Sequence, residues 1–203
     1  MTAMLHIEAI SHELPSFMKL PEARGVVSRP MYEVSEEDLC RFDAILLPAH
    51  IDQRALAQRS AGLGRFLDQG GTLVFNGHVV YPVLPELAIF VPAPGGGLAD
   101  LMVERVADHP VFAGVDVKDL SLRRGVAGFY GRGANPPPAG AKILHRLQAD
   151  HSPLDWVWQR PAGGQIFMHG GNTLWMYVDD DTSAARIAPQ LLRWLSAGAP
   201  TGE

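Results

Sequence analysis

The sequence is poor in three features, and each shortage excludes a class of protein. It has one cysteine, Cys40, in 203 residues. An intramolecular disulfide is therefore impossible. It has no excess of basic charge: 17 Lys and Arg stand against 22 Asp and Glu, a net charge of -5. Nucleic-acid binders present a basic stripe. The densest basic group here, Arg123, Arg124 and Arg132 in a glycine-rich stretch, reads as a solvated loop, so no nucleic-acid partner is expected. Long apolar runs are missing too. No window approaches the ~20 apolar residues of a membrane helix. Residues Met1 to Ile10 carry neither the basic start nor the apolar core of a secretory leader. The expectation is a cytoplasmic protein with no membrane partner.

The composition that remains suits one α/β domain over residues 1–203. The 47% hydrophobic content is ordinary for a globular protein. A chain of this length can bury a core without disulfide or metal. Ala44-Ile45-Leu46-Leu47-Pro48 and Thr72-Leu73-Val74-Phe75-Asn76 are continuous apolar runs, as in strands buried on both faces of a parallel sheet. Between them Leu56, Leu63, Phe66 and Leu67 fall on one helical face, with Asp52 as a cap and Gly70-Gly71 as the stop. Strand, helix and strand with short links predict a right-handed βαβ unit. Further strands are expected at Met4 to Ile10, Met31 to Val34, Leu101 to Val106, Lys142 to Leu147, Asp155 to Gln159 and Gln165 to Met168. Residues 11–30 and 81–97 read as irregular. A last helix carries Ile187, Leu191, Trp194 and Leu195, capped by Thr182 or Asp181, with Pro189 kinking it or marking its start.

Three segments resemble a known family. They are Phe42 to Pro48 with the helix that ends in Gly70-Gly71; Asp108-His109-Pro110-Val111-Phe112-Ala113-Gly114-Val115; and Gly164-Gln165-Ile166-Phe167-Met168-His169-Gly170-Gly171-Asn172, running into the final helix. Their order is similar to the class I glutamine-amidotransferase-like superfamily, and within it to the ThuA-like, trehalose-utilisation-like branch. The resemblance spans roughly residues 40 to 195. It implies a flavodoxin-like three-layer α/β sandwich and a carbohydrate-related ligand. True amidotransferases place a cysteine on a sharp turn in a Cys-x-Gly-His-like pattern. Here that stretch is Phe75-Asn76-Gly77-His78, so Phe75 stands at the nucleophile position. The family's later His-x-Glu falls on His169-Gly170-Gly171, where the glutamate is missing. Glutaminase chemistry is not expected. The ThuA-like branch also lacks the cysteine.

Open parallel sheets bind ligands at the carboxyl ends of their strands. His12, His50, Asn76, His78, His169 and Asn172 all come just after predicted strands and so fall at one edge. Three readings compete. They are ordinary polar loop residues; or His78 and His169 are an acid–base pair, with His12, His50, Asn76 and Asn172 binding ligand; or the histidines hold a metal. No His-x-His or His-x-x-x-His pair supports the metal, and no cofactor is assigned. Asp179-Asp180-Asp181 reads as helix-dipole complement. Gly95-Gly96-Gly97 lacks the Lys-Ser/Thr of a phosphate loop. Two functions remain: a small-molecule enzyme or binder, or a non-catalytic domain for a partner or a second copy of the chain.

Overall fold

The computed structural model describes residues 2–9 and 14–200. In chain order the strands are β1 (Met4–Glu8), β2 (Val26–Pro30), β3 (Ala44–Leu47), β4 (Thr72–Asn76), β5 (Val91–Pro92), β6 (Val103–Arg105), β7 (Leu122–Arg123), β8 (Val126–Ala127), β9 (Gly133–Ala134), β10 (Lys142–Leu147), β11 (Pro153–Gln159) and β12 (Gln165–His169). Eight of them form one sheet in the order β2-β1-β3-β4-β12-β11-β10-β6. The first five in that order run parallel, and β11, β10 and β6 continue the sheet with antiparallel pairing. The predicted βαβ unit is present, with β3 and β4 adjacent and parallel.

Helices cover both faces of the sheet. α1 (Glu36–Leu39), α2 (Gln53–Ala57) and α3 (Ser60–Asp68) lie on one side, with a core that includes Ile45, Leu47, Leu73, Phe75, Ile166 and Met168. α5 (Ile187–Ser196) and several 3-10 turns pack on the other, against Leu46, Val74 and Phe167; α4 (Val117–Ser121) joins that side through Leu120. Alternate residues of β3 and β4 point into different cores, so continuous apolar runs were required. The architecture is the flavodoxin-like α/β sandwich expected.

The sequence misled locally. Residues 26–30 form a strand where a loop was expected, because parallel pairing with β1 supplies partners that local sequence does not announce. Residues Met31–Glu33, expected as a strand, make a 3-10 turn. The single helix expected after Asp52 is two, α2 and α3, with Arg59 between them, its guanidinium donating to Val34 O (2.6 Å) and to Ala55 O of α2 (2.8 Å). Gly62 is a close-approach residue: a Cβ there would come within 2.8 Å of Glu36 Cβ on α1. Thr182 precedes a 3-10 turn and makes no side-chain cap, and Pro189 is the third residue of α5, where no intrahelical N–H bond is lost.

The excursion after β4 is tied down at several points. Asn135 Nδ2 donates to Gly77 O (2.7 Å) and its Oδ1 accepts from Val79 N (2.9 Å). Gln53 Nε2 donates to His78 O (2.6 Å), and its Oε1 accepts from Val80 N and Tyr81 N. Farther out, buried Arg160 joins Glu86 (2.7 Å) to Asp68 at the end of α3 (3.0 Å).

Candidate functional site

β4 ends in a turn that only glycine can make. Gly77 has φ +96°, and a Cβ on it would lie 2.7 Å from Ala49 O. The turn brings the chain across the end of β3 and places His78 at the carboxyl edge. The His78 ring stacks on Phe90, with centroids 3.5 Å apart and planes 10° from parallel. Burial, and then the nearby His169 and His50, hold His78 below the usual imidazole range. It is neutral at neutral pH, with one N–H and one lone pair to offer.

His78 lines a cavity of about 480 Å³. His50, Gln53, Phe129, Arg132 and Asn172 line it as well, and Gly77, Gly128, Gly131 and Gly171 bring backbone to its surface. Asn172 is held by a bond from its Nδ2 to Phe129 O (3.2 Å). Arg132 Nε donates to Gly128 O (3.2 Å), which steadies an otherwise exposed guanidinium.

Beneath the cavity lies a row of polar side chains that crosses five strands. In register, Arg105 on β6 pairs with His145 on β10, His145 with Asp155 on β11, Asp155 with His169 on β12, and His169 with Asn76 on β4. Cross-strand partners share a face of the sheet. Arg105 Nε donates to His145 Nε2 (3.4 Å), so the His145 proton sits on Nδ1 and is donated to Asp155 Oδ2 (2.7 Å). Tyr130 OH donates to the same oxygen, and His169 Nδ1 donates to Asp155 Oδ1 (2.5 Å). Burial alone would raise the Asp155 carboxyl, but electrostatic attraction to His169 and His145 and their hydrogen bonds outweigh it and hold the group well below the usual carboxylate range. Burial and Asp155 push Tyr130 far up, so it stays a donor.

This chain of bonds fixes His169 with its lone pair on Nε2. That atom is fully buried and has no hydrogen-bond partner among the described residues. Gly171 stands between it and the cavity: a Cβ at Gly171 would come 3.0 Å from Nε2 and collide with Tyr130 O. His169 is thus one glycine behind the cavity wall.

Of the residues singled out from sequence, His50, His78 and Asn172 share the cavity. His169 lies beneath it. Asn76 is fully buried, with Nδ2 donating to Leu47 O (2.8 Å) and Oδ1 accepting from Leu174 N (2.9 Å), so it fastens β4 to its neighbours. His12 falls outside the described residues. Phe75 is packed in the core with α2 and α3, and Cys40 is half-buried at the end of α1, away from the residues lining the cavity. Sequence reasoning missed Arg132, Phe129 and the row through His145 and Asp155. One signal was available: Asp155 is the only charged residue within the run Leu154 to Trp158. Among the described residues no group of three His, Cys, Asp or Glu is arranged to hold a metal ion.

No protein-family model matches the sequence. No curated protein matches it. Solved structures do. The chain is similar to a cytoplasmic protein from Salmonella typhimurium, with TM-score 0.61 and 12% identity over 96% of this chain and 98% of that one. It is similar to the mmIFT52 N-terminal domain, with TM-score 0.62 and 12% identity over 99% and 100% of the two chains. A ThuA-like protein from Bacteroides uniformis is similar too, with TM-score 0.51 and 13% identity over 95% and 90%. Likeness at such identity speaks for the fold alone: this chain has a ThuA-like fold.

Proposed function

We propose that the chain is a cytoplasmic, ThuA-like domain that binds a small, hydroxyl-rich and carbohydrate-related ligand at the carboxyl edge of its sheet, without glutaminase chemistry. The observation that carries this is the convergence of His50, His78, Arg132 and Asn172 on one cavity, at the edge where open α/β sheets hold ligands. Hydroxyl groups both donate and accept. The neutral His78 ring, the Asn172 amide, the Gln53 amide and glycine backbone match them, and Phe129 offers an apolar face. His78 is the group in reach of a ligand for proton transfer. His169, oriented by Asp155, is a second base behind it.

The test is calorimetric titration of pentoses, hexoses and sugar acids into wild type and His78→Ala. A saturable response to one sugar class, weakened about tenfold in the variant, is expected. If no sugar binds, or if His78→Ala simply unfolds the protein, the ligand site is refuted.

An interaction domain is the second reading, and one observation favours it. Val80, Tyr81, Ile89, Val91 and Leu98 are all exposed and all lie on the excursion after β4, and exposed apolar side chains are what a contact surface needs. Sedimentation over a range of concentrations tests it, with a rise in mass that Val80→Asp abolishes as the expected outcome.

A further inference from the structure

A further, smaller cavity of about 170 Å³ opens at the carboxyl ends of β1 and β3, with His50 lining both it and the first. Its walls include His6, Glu8, Pro48 and Trp175. His6 and Glu8 are two apart on β1 and leave the same face of the strand. Ser28 on β2 is the register partner of His6.

These three side chains form a directed chain. Ser28 Oγ donates its one proton to Glu8 Oε1 (2.8 Å). Ser28 Oγ also lies 2.8 Å from His6 Nδ1; its proton already given to Glu8, it accepts from that nitrogen, and His6 carries its proton on Nδ1. Nε2 is left with its lone pair. The ring cannot turn away, because it is only 3% exposed and stands edge-on to Phe17 and Trp175, at 5.3 and 5.5 Å. Burial holds its pKa at about 4, so His6 brings no positive charge to the cavity at neutral pH. Glu8 has no ion-pair partner among the described residues. The proline ring brings no N–H. The polar and aromatic side chains of the lining are thus the Glu8 carboxylate, the His6 lone pair, the His50 imidazole and the Trp175 indole.

We propose that this cavity binds a small organic ammonium ion, with Glu8 as the counter-charge, Trp175 as the aromatic surface and His6 Nε2 as acceptor for an N–H of a primary ammonium or for the hydroxyl of choline. A carboxylate beside an indole is the pairing that recognises ammonium ions, through Coulomb attraction and cation–π contact together. The proposal does not depend on what occupies the larger cavity.

The experiment titrates ethylammonium and choline into the full chain and monitors the Trp175 indole N–H by NMR, assigned with Trp175→Phe. Saturable shifts are expected. The uncharged isostere of choline, with carbon in place of nitrogen, should bind at least about tenfold more weakly, and Glu8→Gln should lower choline affinity by a similar factor at unchanged Tm. The proposal is overturned if neither ammonium moves the Trp175 resonance, if the isostere binds as well as choline, or if a folded Glu8→Gln binds choline as wild type does. The isostere comparison uses wild-type protein and decides the matter even if Glu8→Gln fails to fold.

Discussion

The sheet has two halves of different chemistry. In the central parallel strands β3 and β4, Ile45, Leu46, Leu47, Leu73, Val74 and Phe75 are all buried and apolar, and the polar residues of β4, Thr72 and Asn76, stand at its ends. In the antiparallel half, Arg105, His145 and Asp155 occupy paired positions within the ladder itself. Parallel strands end on the same edge, so the residues just past their ends meet in space. Antiparallel neighbours share no such edge, and their contribution to the same region comes from side chains placed by register. The candidate site is where the two arrangements touch, at His169, the parallel-half residue bonded to Asp155 across the boundary.

Acid should disturb both halves most strongly. His6 on β1 and His109 beside α5 are each held at about 4, burial being the main cause. Both rings take up protons near pH 6.5 when unfolded. Between pH 6.5 and 4 the unfolded chain binds more protons, so stability is complete above that window and falls as pH drops through it, by about 3 kcal/mol for each ring. The Asp155 carboxyl is also shifted down, so its contribution is lost in the same sense as pH falls, but only below the usual carboxylate range. Urea unfolding at pH 7 and pH 4.5 checks this. A flat profile would mean that the buried rings are wet in solution.

Next come single substitutions in each half. Asp155→Asn removes the one anion that two imidazoles and Tyr130 share, at an expected cost of about 3–5 kcal/mol. Phe75→Ala, in the apolar half, should cost about the same through a cavity. Denaturation curves separate them by pH: the Asp155 penalty should shrink as the carboxylate is protonated, and the Phe75 penalty should persist. Equal pH behaviour would erase the distinction between the halves.

Gly77→Ala should cost about 1–3 kcal/mol, since an L-residue at φ +96° is strained and its Cβ meets Ala49 O. The smallest effect on stability belongs to His78→Ala. Its side chain makes no hydrogen bond among the described residues and should cost less than about 1 kcal/mol, while sugar affinity falls about tenfold. A large loss of Tm there would make His78 a structural residue.

Legibility in the sequence divides along the same line. β3, β4 and β12 announced themselves as apolar runs, and looking just past their ends found His50, His78 and Asn172. The same rule cannot find His145 or Asp155, because neither lies past a strand end; they meet only through the pairing of β10, β11 and β12. Arg132 and Phe129 come from an irregular segment whose course is set by tertiary contacts such as Asn172 N to Phe129 O. Asn76 shows the reverse error, a polar residue at the right edge whose hydrogen bonds are spent on backbone. β2 was missed because an edge strand with Ser28, Arg29 and Pro30 has no apolar run to show.

The stapling of the segment that carries His78 has a kinetic consequence. Gln53, Asn135 and Arg160 hold it at Gly77 to Tyr81 and again at Glu86. One wall of the larger cavity is therefore fixed by hydrogen bonds within the protein itself, and the proposed ligand would meet it preformed. Stopped-flow traces should show a single phase whose rate rises linearly with ligand concentration, without the plateau that a slow closing step imposes.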